Sequence, residues 1–509
     1  VRPQYFRPER FRSSQNFRLF AGLIILLLAS SNAFPQIQQA WVARYNNGIT
    51  NGTNQAVKMA LDSNGDVYVL GVSQNTNNQL GYVTIKYAPN GTQLWAARYD
   101  STNYTTATPS GFVLDSSNNV IVTGNTLTVK YDTNGHQLWT APYNGSSIGV
   151  DSSGNCIVTG FGSGFNTIKL SPNGSNLWSK SFVTEYGPAQ SEAMVVDPDG
   201  NAYVAGWDTY VCYSNGDGLE SCYPGLVILK YNPNGDQLWQ NAMQQSDGFN
   251  GHLVAGMALD SSTNIYVLAN QYLQPYVTYT YASDGAELWQ SNPLFNMLAV
   301  GLVLDSSSRM ATCGHAVPSA ENYPNTCYAI VKYETNSVPL WTNYYPLAPT
   351  SSGAATCIGV DRANNVYVTG YSPGSNSINN IVTIKYGPSG SQLWLQSYNG
   401  LNAGNDSGNA IAVDKNGNVY VTGYETLLGG GTGIVTIKYI PISIQRQTNG
   451  TVLIETQGSP GESFDIQASS DLLNWLDLGT ILADTNGLMQ FDDTNAPNFP
   501  TRFYYTNPK

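Results

Sequence analysis

Charge is scarce in this 509-residue chain: only 11% of residues are Asp, Glu, Lys or Arg, and the balance is acidic, at −12. A chain with so few cations lacks the basic footprint on which nucleic-acid binding depends, and anionic membranes are poor partners for the same reason. Histidine is scarcer still, with only His136, His252 and His315, and the six cysteines contain no Cys-x-x-Cys, so a zinc centre is not expected. After residue 33 no apolar run is long enough to span a bilayer. Two Gly-x-Ser-x-Gly strings, at Gly145–Gly149 and Gly370–Gly374, lack the following helical pattern that a nucleophile elbow needs. Leu428–Gly433 lacks the helix and lysine of a phosphate loop.

What is present begins with a leader-like segment. Arg2, Arg7, Arg10, Arg12 and Arg18 precede the apolar run Leu19 to Ala29, and Ser31-Asn32-Ala33 supplies small residues beyond it. This is the layout of a secretory signal peptide over residues 1–33, so a secreted, periplasmic or cell-surface protein is expected. An uncleaved anchor is the alternative.

The body of the chain repeats one pattern eight times. Its clearest copy reads Ile411-Ala412-Val413-Asp414, then Gly417 to Gly423, then Val435-Thr436-Ile437-Lys438-Tyr439. The repeat Asp recurs at Asp62, Asp115, Asp151, Asp197, Asp260, Asp305, Asp361 and Asp414, spaced as blade-forming repeats are. Each copy holds four short runs of β-branched and aromatic residues alternating with polar ones, separated by Asn-Gly or Asp-Gly turns. In the first copy these are Val57 to Leu61, Val67 to Leu70, Val83 to Tyr87 and Gln93 to Tyr99. Four antiparallel strands repeated radially make a β-propeller, and a stacked solenoid is the rival. The eighth copy lacks its last strand. An orphan of that strand, Trp41 to Tyr45, stands near the other end and matches Trp95 to Tyr99. The expected fold is therefore all-β: an eight-bladed β-propeller over 34–441, closed by the N-terminal strand, with a small C-terminal β-sandwich over 442–509.

The recurrent residues have scaffold roles. The Trp of each copy should pack between neighbouring blades, and the turn Gly, as at Gly91, should supply positive φ. The recurrent Lys, at Lys86, Lys130, Lys169, Lys230, Lys332, Lys385 and Lys438, is expected to pair with the Asp of its own copy; Thr280 replaces it in the fifth.

The strings Asp-x-x-Gly-Asn-Val-Tyr-Val-Thr-Gly and Thr-Ile-Lys-Tyr-x-x-x-Gly-x-x-Leu-Trp resemble the bacterial SBBP β-propeller repeat, over roughly residues 41–440. The resemblance implies an extracellular propeller and carries no catalytic residues. The tail, with Ser463 to Ser469, Leu473-Asn474-Trp475 and Arg502 to Tyr505, resembles a small β-sandwich module of secreted bacterial proteins.

Specificity is expected on the face with long, variable loops. The position after the repeat Gly, read as Val72, Asn125, Phe161, Trp207, Gln271, His315, Tyr371 and Tyr424, should ring the mouth of the channel. Together with the insertion around 207–226, this makes Phe161, Trp207, Asp208, Tyr210, Tyr213, His315, Tyr371 and Tyr424 the candidate ligand contacts. Aromatic rings beside polar groups suit a glycan or an extracellular protein partner. Cys212 with Cys222, and Cys313 with Cys327, flank loops and are the candidate disulfides; Cys156 and Cys357 read as free thiols within strands. Calcium could take the oxygens of Asp62–Asp66 or Asp197–Asn201, although turn chemistry explains these strings without it; no other cofactor is expected. A monomeric, non-enzymatic binding scaffold is the leading reading. The alternative is an exported propeller enzyme: a pyrroloquinoline-quinone dehydrogenase, suggested by Gly-x-x-Leu-Trp, or a polysaccharide lyase or hydrolase using two of Asp208, Asp217, Glu220, Glu321 and Glu425.

Overall fold

The computed structural model of the protein describes residues 36–509 except 103, 161–164, 183–188, 215–219, 244–251, 272–273, 292–296, 317–325, 346–351, 375–377, 403, 459–460, 472, 486 and 509. The leader-like segment and Phe161 lie outside the described residues, as do the side chains of Tyr210, Tyr213, Cys212 and Cys222. The described residues are strand and turn with one short 3-10 turn, and no helix among them is long and apolar enough to cross a membrane.

Seven four-stranded antiparallel sheets follow one another along the chain, each a simple meander. The first contains Asn54–Leu61, Val67–Gln74, Leu80–Tyr87 and Gln93–Tyr99, the first three each longer at one end than the apolar runs alone suggest. An eighth set, Ser407–Val413, Val419–Thr426 and Thr432–Arg446, is completed by Gln36–Tyr45, with Trp41 opposite Lys438. We number these sheets 1 to 8. The first strand of each lies against the first strand of the next, and Ser407–Val413 in sheet 8 lies against Asn54–Leu61 in sheet 1.

Two polar devices join neighbouring sheets. The first is the tryptophan. The indole N–H of Trp95 donates to the Thr133 carbonyl of the next sheet at 2.9 Å, and Trp139 and Trp178 reach Pro172 and Pro233 at 2.9 and 3.0 Å. Trp41 makes the same bond to Pro89 of sheet 1 at 2.9 Å. The turn Gly lies directly beneath the ring: a Cβ on Gly91 would stand 2.7 Å from Trp41, and one on Gly135 2.7 Å from Trp95. Both glycines also have φ near +85°, so conformation and space demand the same residue.

The second device is a bulge in the innermost strand, five residues before the repeat Asp. Ser146 Oγ donates to the Ser191 carbonyl of the next sheet at 2.8 Å, and Ser110 and Thr356 donate likewise to Gly145 and Gly408. In sheet 8, Asn409 Nδ2 reaches the Ala56 carbonyl of sheet 1 at 2.8 Å. Arg44, on the N-terminal strand, bonds Glu425 of sheet 8 and Tyr398 of sheet 7, both at 2.6 Å.

The lysine–aspartate pairing holds only in part, and the side chain between the two decides where. Where the second residue of the second strand is Ile121, Ile157 or Ala311, the lysine reaches its own Asp: Lys130–Asp115 at 2.8 Å, Lys169–Asp151 at 2.9 Å and Lys332–Asp305 at 2.8 Å. Where that residue is tyrosine, its hydroxyl takes the Asp, at 3.1 Å for Tyr203–Asp197 and 2.8 Å for Tyr367–Asp361. The lysine then lies over the ring, 4.8 Å away for Lys230 and 4.9 Å for Lys385. Lys385 keeps a longer contact to Asp361 at 3.5 Å, whereas Lys86 turns to Asp66 at 2.8 Å and Lys230 to the Ser283 carbonyl at 2.8 Å.

The tail is continuous with sheet 8. Thr432–Arg446 runs through the expected 441/442 boundary and pairs from Ile442 onward with Val452–Gln457, which pairs with Leu488–Asp493. Opposite lies a three-stranded sheet of Leu476–Leu482, Ser463–Ser469 and Phe503–Pro508. Ile442, Ile444, Ile454, Phe464, Ile466 and Met489 form the core between them, joined by Ala40 from the N-terminal strand. Lys438, whose own Asp is screened by Tyr420, instead pairs with Glu462 of the tail at 3.2 Å.

The Cys313–Cys327 bridge is not formed: both are buried free thiols. Cys313 faces Ile330 and Cys327 faces Ala316, three steps apart on the ladder. That offset is about 10 Å at strand spacing, beyond the reach of a disulfide. Cys156 and Cys357 are free as expected. The 207–226 insertion is not an open loop. It is an arm in which Ala202–Ser214 and Glu220–Tyr231 pair at full length, with Cys212 opposite Cys222.

Two stability comparisons follow from these contacts. Asp115 and Asp414 make the same turn bonds, but only Asp115 also neutralises a buried lysine. Asp115→Ala should therefore cost about 3 kcal/mol more than Asp414→Ala in chemical denaturation. Gly65 shares the positive φ of Gly91, but a Cβ there would meet nothing nearer than 3.7 Å. Gly91→Ala should lower the melting temperature clearly more than Gly65→Ala, because only the first displaces an indole.

Candidate functional site

The second strand of each sheet brings one residue to a common level opposite the innermost strand. Trp207 stands opposite Gln190, His315 opposite Leu298, Tyr371 opposite Ala354 and Tyr424 opposite Ser407. All four are half-buried, so each keeps a solvent-facing surface. In sheet 5 the register places Asn270, not Gln271, at this level, opposite Leu253. Leu268-Ala269 therefore stands for Thr-Gly there, and the expected position is corrected by one residue. Asn270 is also structural: its amide accepts from Ala299 N at 2.8 Å and donates to Ala299 O at 2.9 Å.

Sheets 1 and 2 contribute less. Val72 is buried, and Asn125 is exposed but bonded through its amide to the backbone of Thr106 and Thr108. Among the described residues, the aromatic positions thus fall on sheets 4, 6, 7 and 8. Beside them on the innermost strands stand Leu253 and Leu298, 55% and 50% exposed. Single exposed leucines are ordinary. Two on adjacent sheets stand at the level of Trp207, His315, Tyr371 and Tyr424, a level termed the rim.

The surroundings tune these groups. Burial lowers the His315 pKa and so favours the neutral imidazole. Burial raises the Tyr424 hydroxyl, and neighbouring Tyr371 and Asp406 raise it further. Under the rim lies Glu192, whose carboxyl is pushed up to about 7 by burial, against the opposing effects of the Val254 amide and the Trp207 side chain. Val254 N donates to it at 2.6 Å. Glu192 occupies the bulge position where Ser110, Ser146, Thr356 and Asn409 donate to the next sheet; a carboxyl reverses the bond and accepts instead.

Two expected site acids are not on the rim. Asp208 has no exposed surface, because the strand continues past Trp207 and alternation turns the next side chain inward. Glu425, also one residue beyond a rim aromatic, is 1% exposed and held by Arg44 and by Tyr398 at 2.9 Å. The repeat carboxylates are occupied by their turns: Asp62 Oδ1 accepts from Asn64 N and Asp66 N at 2.9 Å, and both oxygens of Asp197 engage Asn201. No group of three or more potential metal ligands occurs among the described residues. Reading the chain alone missed Glu192, Leu253, Leu298 and Asn270. The signal was there for three of them: Glu192, Leu253 and Leu298 depart from their columns once the innermost strands are aligned on the repeat Asp, whereas Asn270 follows from the pairing register.

A model of the SBBP β-propeller repeat matches residues 398–424. An uncharacterised WD repeat-containing protein of Acanthamoeba polyphaga mimivirus is 24% identical over 398 residues, which cover 67% of this chain and 26% of that protein. The chain thus spans about a quarter of the length of the curated relative it matches. Among solved structures, the Neurospora crassa Pan2 WD40 domain aligns at 13% identity over 80% of this chain and 96% of its own, with a TM-score of 0.40. Drosophila Plexin A in complex with Semaphorin 1b aligns at 10% identity over 79% of this chain and 88% of its own, with a TM-score of 0.38. With its succession of four-stranded sheets and its matching repeat, the chain is a β-propeller repeat protein.

Proposed function

We propose that the protein is an exported, non-enzymatic scaffold whose eight sheets close into a ring and whose aromatic rim holds a glycan or an extracellular protein. Closure is supported by three contacts that join the ends of the array as they join its middle: Trp41 to Pro89, Asn409 to Ala56, and the strand pairing of Trp41 with Lys438. Export is supported by the basic–apolar–small order of residues 1–33, and Cys212 facing Cys222 across the arm suits an oxidising compartment.

The observation that carries the binding reading is the placement of Trp207, His315, Tyr371 and Tyr424 at one level, each half-exposed, beside two exposed leucines. Rigid aromatic faces set on strands lose little entropy on binding, and indole and phenol rings suit sugar faces or the apolar anchors of a protein. The two rim-proximal acids described, Asp208 and Glu425, are buried and do not form an accessible carboxylate pair.

The test is retention on a glycan array and on immobilised matrix proteins. Trp207→Ala and Tyr371→Ala should each weaken retention at least about tenfold while the variants keep the native circular dichroism spectrum, as expected for loss of an aromatic anchor. Unchanged retention in both variants would remove the rim from the binding surface. Glu192 adds a pH dependence of stability. Its folded pKa is raised, so its contribution is complete below the ordinary Glu value and is lost as pH rises toward about 7. Glu192→Gln should leave stability at pH 4 nearly unchanged and raise it at pH 8, measured by thermal unfolding.

A further inference from the structure

Glu192 is the extra residue between Ser191 and Ala193, where the ladder to Ala202–Ser214 shifts. At the same station Ser110, Ser146 and Thr356 serve backbone alone. Each bonds one carbonyl of its own sheet's second strand and one of the next sheet. Glu192 is bonded differently on both sides. Val254 N of sheet 5 donates to it at 2.6 Å. The side chain of Trp207, in its own sheet, also bonds to it, and the indole N–H is the one donor that side chain has.

The carboxyl thus joins two residues of the rim. Trp207 is one. The other is Leu253, whose peptide bond carries the Val254 N–H and whose side chain is 55% exposed at the same level. An ionised carboxylate is all acceptor, so it holds both donors. A protonated carboxyl turns one oxygen into a donor and meets the same two groups with one full acceptor.

We propose that Glu192 is the positioning residue of the rim: ionised, it fixes the Trp207 indole against sheet 5 beside Leu253, and on taking up a proton it releases one of the two. This rests on the rim being the binding surface. An indole free to turn loses more entropy when a ligand fixes it, so the rim should bind more weakly in acid. Burial, which raises this carboxyl to about 7, sets the change in the neutral range.

Neighbouring charges do not drive the change. Burial, the Val254 amide and the Trp207 side chain are the influences on Glu192 among the described residues. On the strands packed against it, Tyr203 is bonded to Asp197, Lys169 is paired with Asp151, and Cys156 responds to Lys130 and Asp151. Asp208 faces the other side of its strand from Trp207. The His252 side chain lies outside the described residues. Lys58, on the innermost strand of sheet 1, is influenced by Cys357 and not by Glu192.

The first readout needs no ligand. The indole 1H–15N resonance of Trp207, assigned with Trp207→Phe, should shift with pH around a midpoint near 7 in the wild type and stay constant in Glu192→Gln. The second is retention on the glycan array and immobilised matrix proteins at pH 8 and pH 5. Wild-type retention should fall about fivefold in acid, the weight of one hydrogen bond, whereas Glu192→Gln should be equally weak at both. That variant is expected to be the more stable protein at pH 8, so its weaker retention separates positioning from a structural role. A Trp207 resonance indifferent to pH, or one that still titrates in Glu192→Gln, would overturn the proposal. Equal wild-type retention at both pH values would overturn it as well. No wild-type retention at either pH, beside a titrating indole, would instead remove the rim as a binding surface and leave the bond between Glu192 and Trp207 standing.

Discussion

One contact recurs at the joint between sheets and sustains the array: an indole lying on a glycine turn of the next sheet, with its N–H bonded to a carbonyl of that turn. A single four-stranded meander cannot bury both of its faces, so each repeat is stable only against its neighbours. The indole supplies a large apolar surface, and its one polar group is satisfied by the partner that it covers. The glycine beneath leaves no room for a Cβ, so the ring lies directly on the turn. Trp41, from the first described strand, docks on Pro89 and Gly91 as its counterparts dock elsewhere.

Within this frame the buried charges are arranged by what stands between them. Isoleucine or alanine leaves the lysine in reach of the repeat Asp, whereas tyrosine intercepts the carboxylate and offers its ring to the cation. Both solutions satisfy an ammonium out of bulk water, so the repeat tolerates either. Sheet 8 shows a third solution, in which Lys438 takes Glu462 of the tail and so ties the last sheet to the appended core. Together with the unbroken strand Thr432–Arg446 and the burial of Ala40 in the tail core, this makes the tail an extension of sheet 8.

The asymmetry of the array lies where the repeat is least uniform. Sheets 4 to 8 carry the half-exposed aromatics and the exposed leucines, while sheets 1 and 2 present Val72 and Asn125 in the same place. Glu192 and Lys58 depart from the pattern on the innermost strands, and each puts a titratable group where the other sheets have small or neutral ones. An array of sheets with variable side chains at fixed stations can change ligands without changing fold.

The sequence by itself determined the sheets. Alternation of apolar and polar residues, glycine turns and a tryptophan in each copy are local signals, and the strands fall where those signals lie. It also showed that Trp41 to Tyr45 is a displaced last strand, because that string matches Trp95 to Tyr99 residue for residue at its ends. Tertiary structure alone decided the partners. Whether Lys130 meets Asp115 or Lys230 meets a ring depends on a side chain from a third strand. Whether Cys313 can reach Cys327 depends on register across a ladder, and a shift of one residue turns a side chain to the other face. The same rule hides Asp208 and Glu425 one step beyond exposed aromatics, and places Asn270 rather than Gln271 on the rim. Periodicity is written into neighbouring residues, whereas direction and partnership are properties of strands that meet from distant parts of the chain.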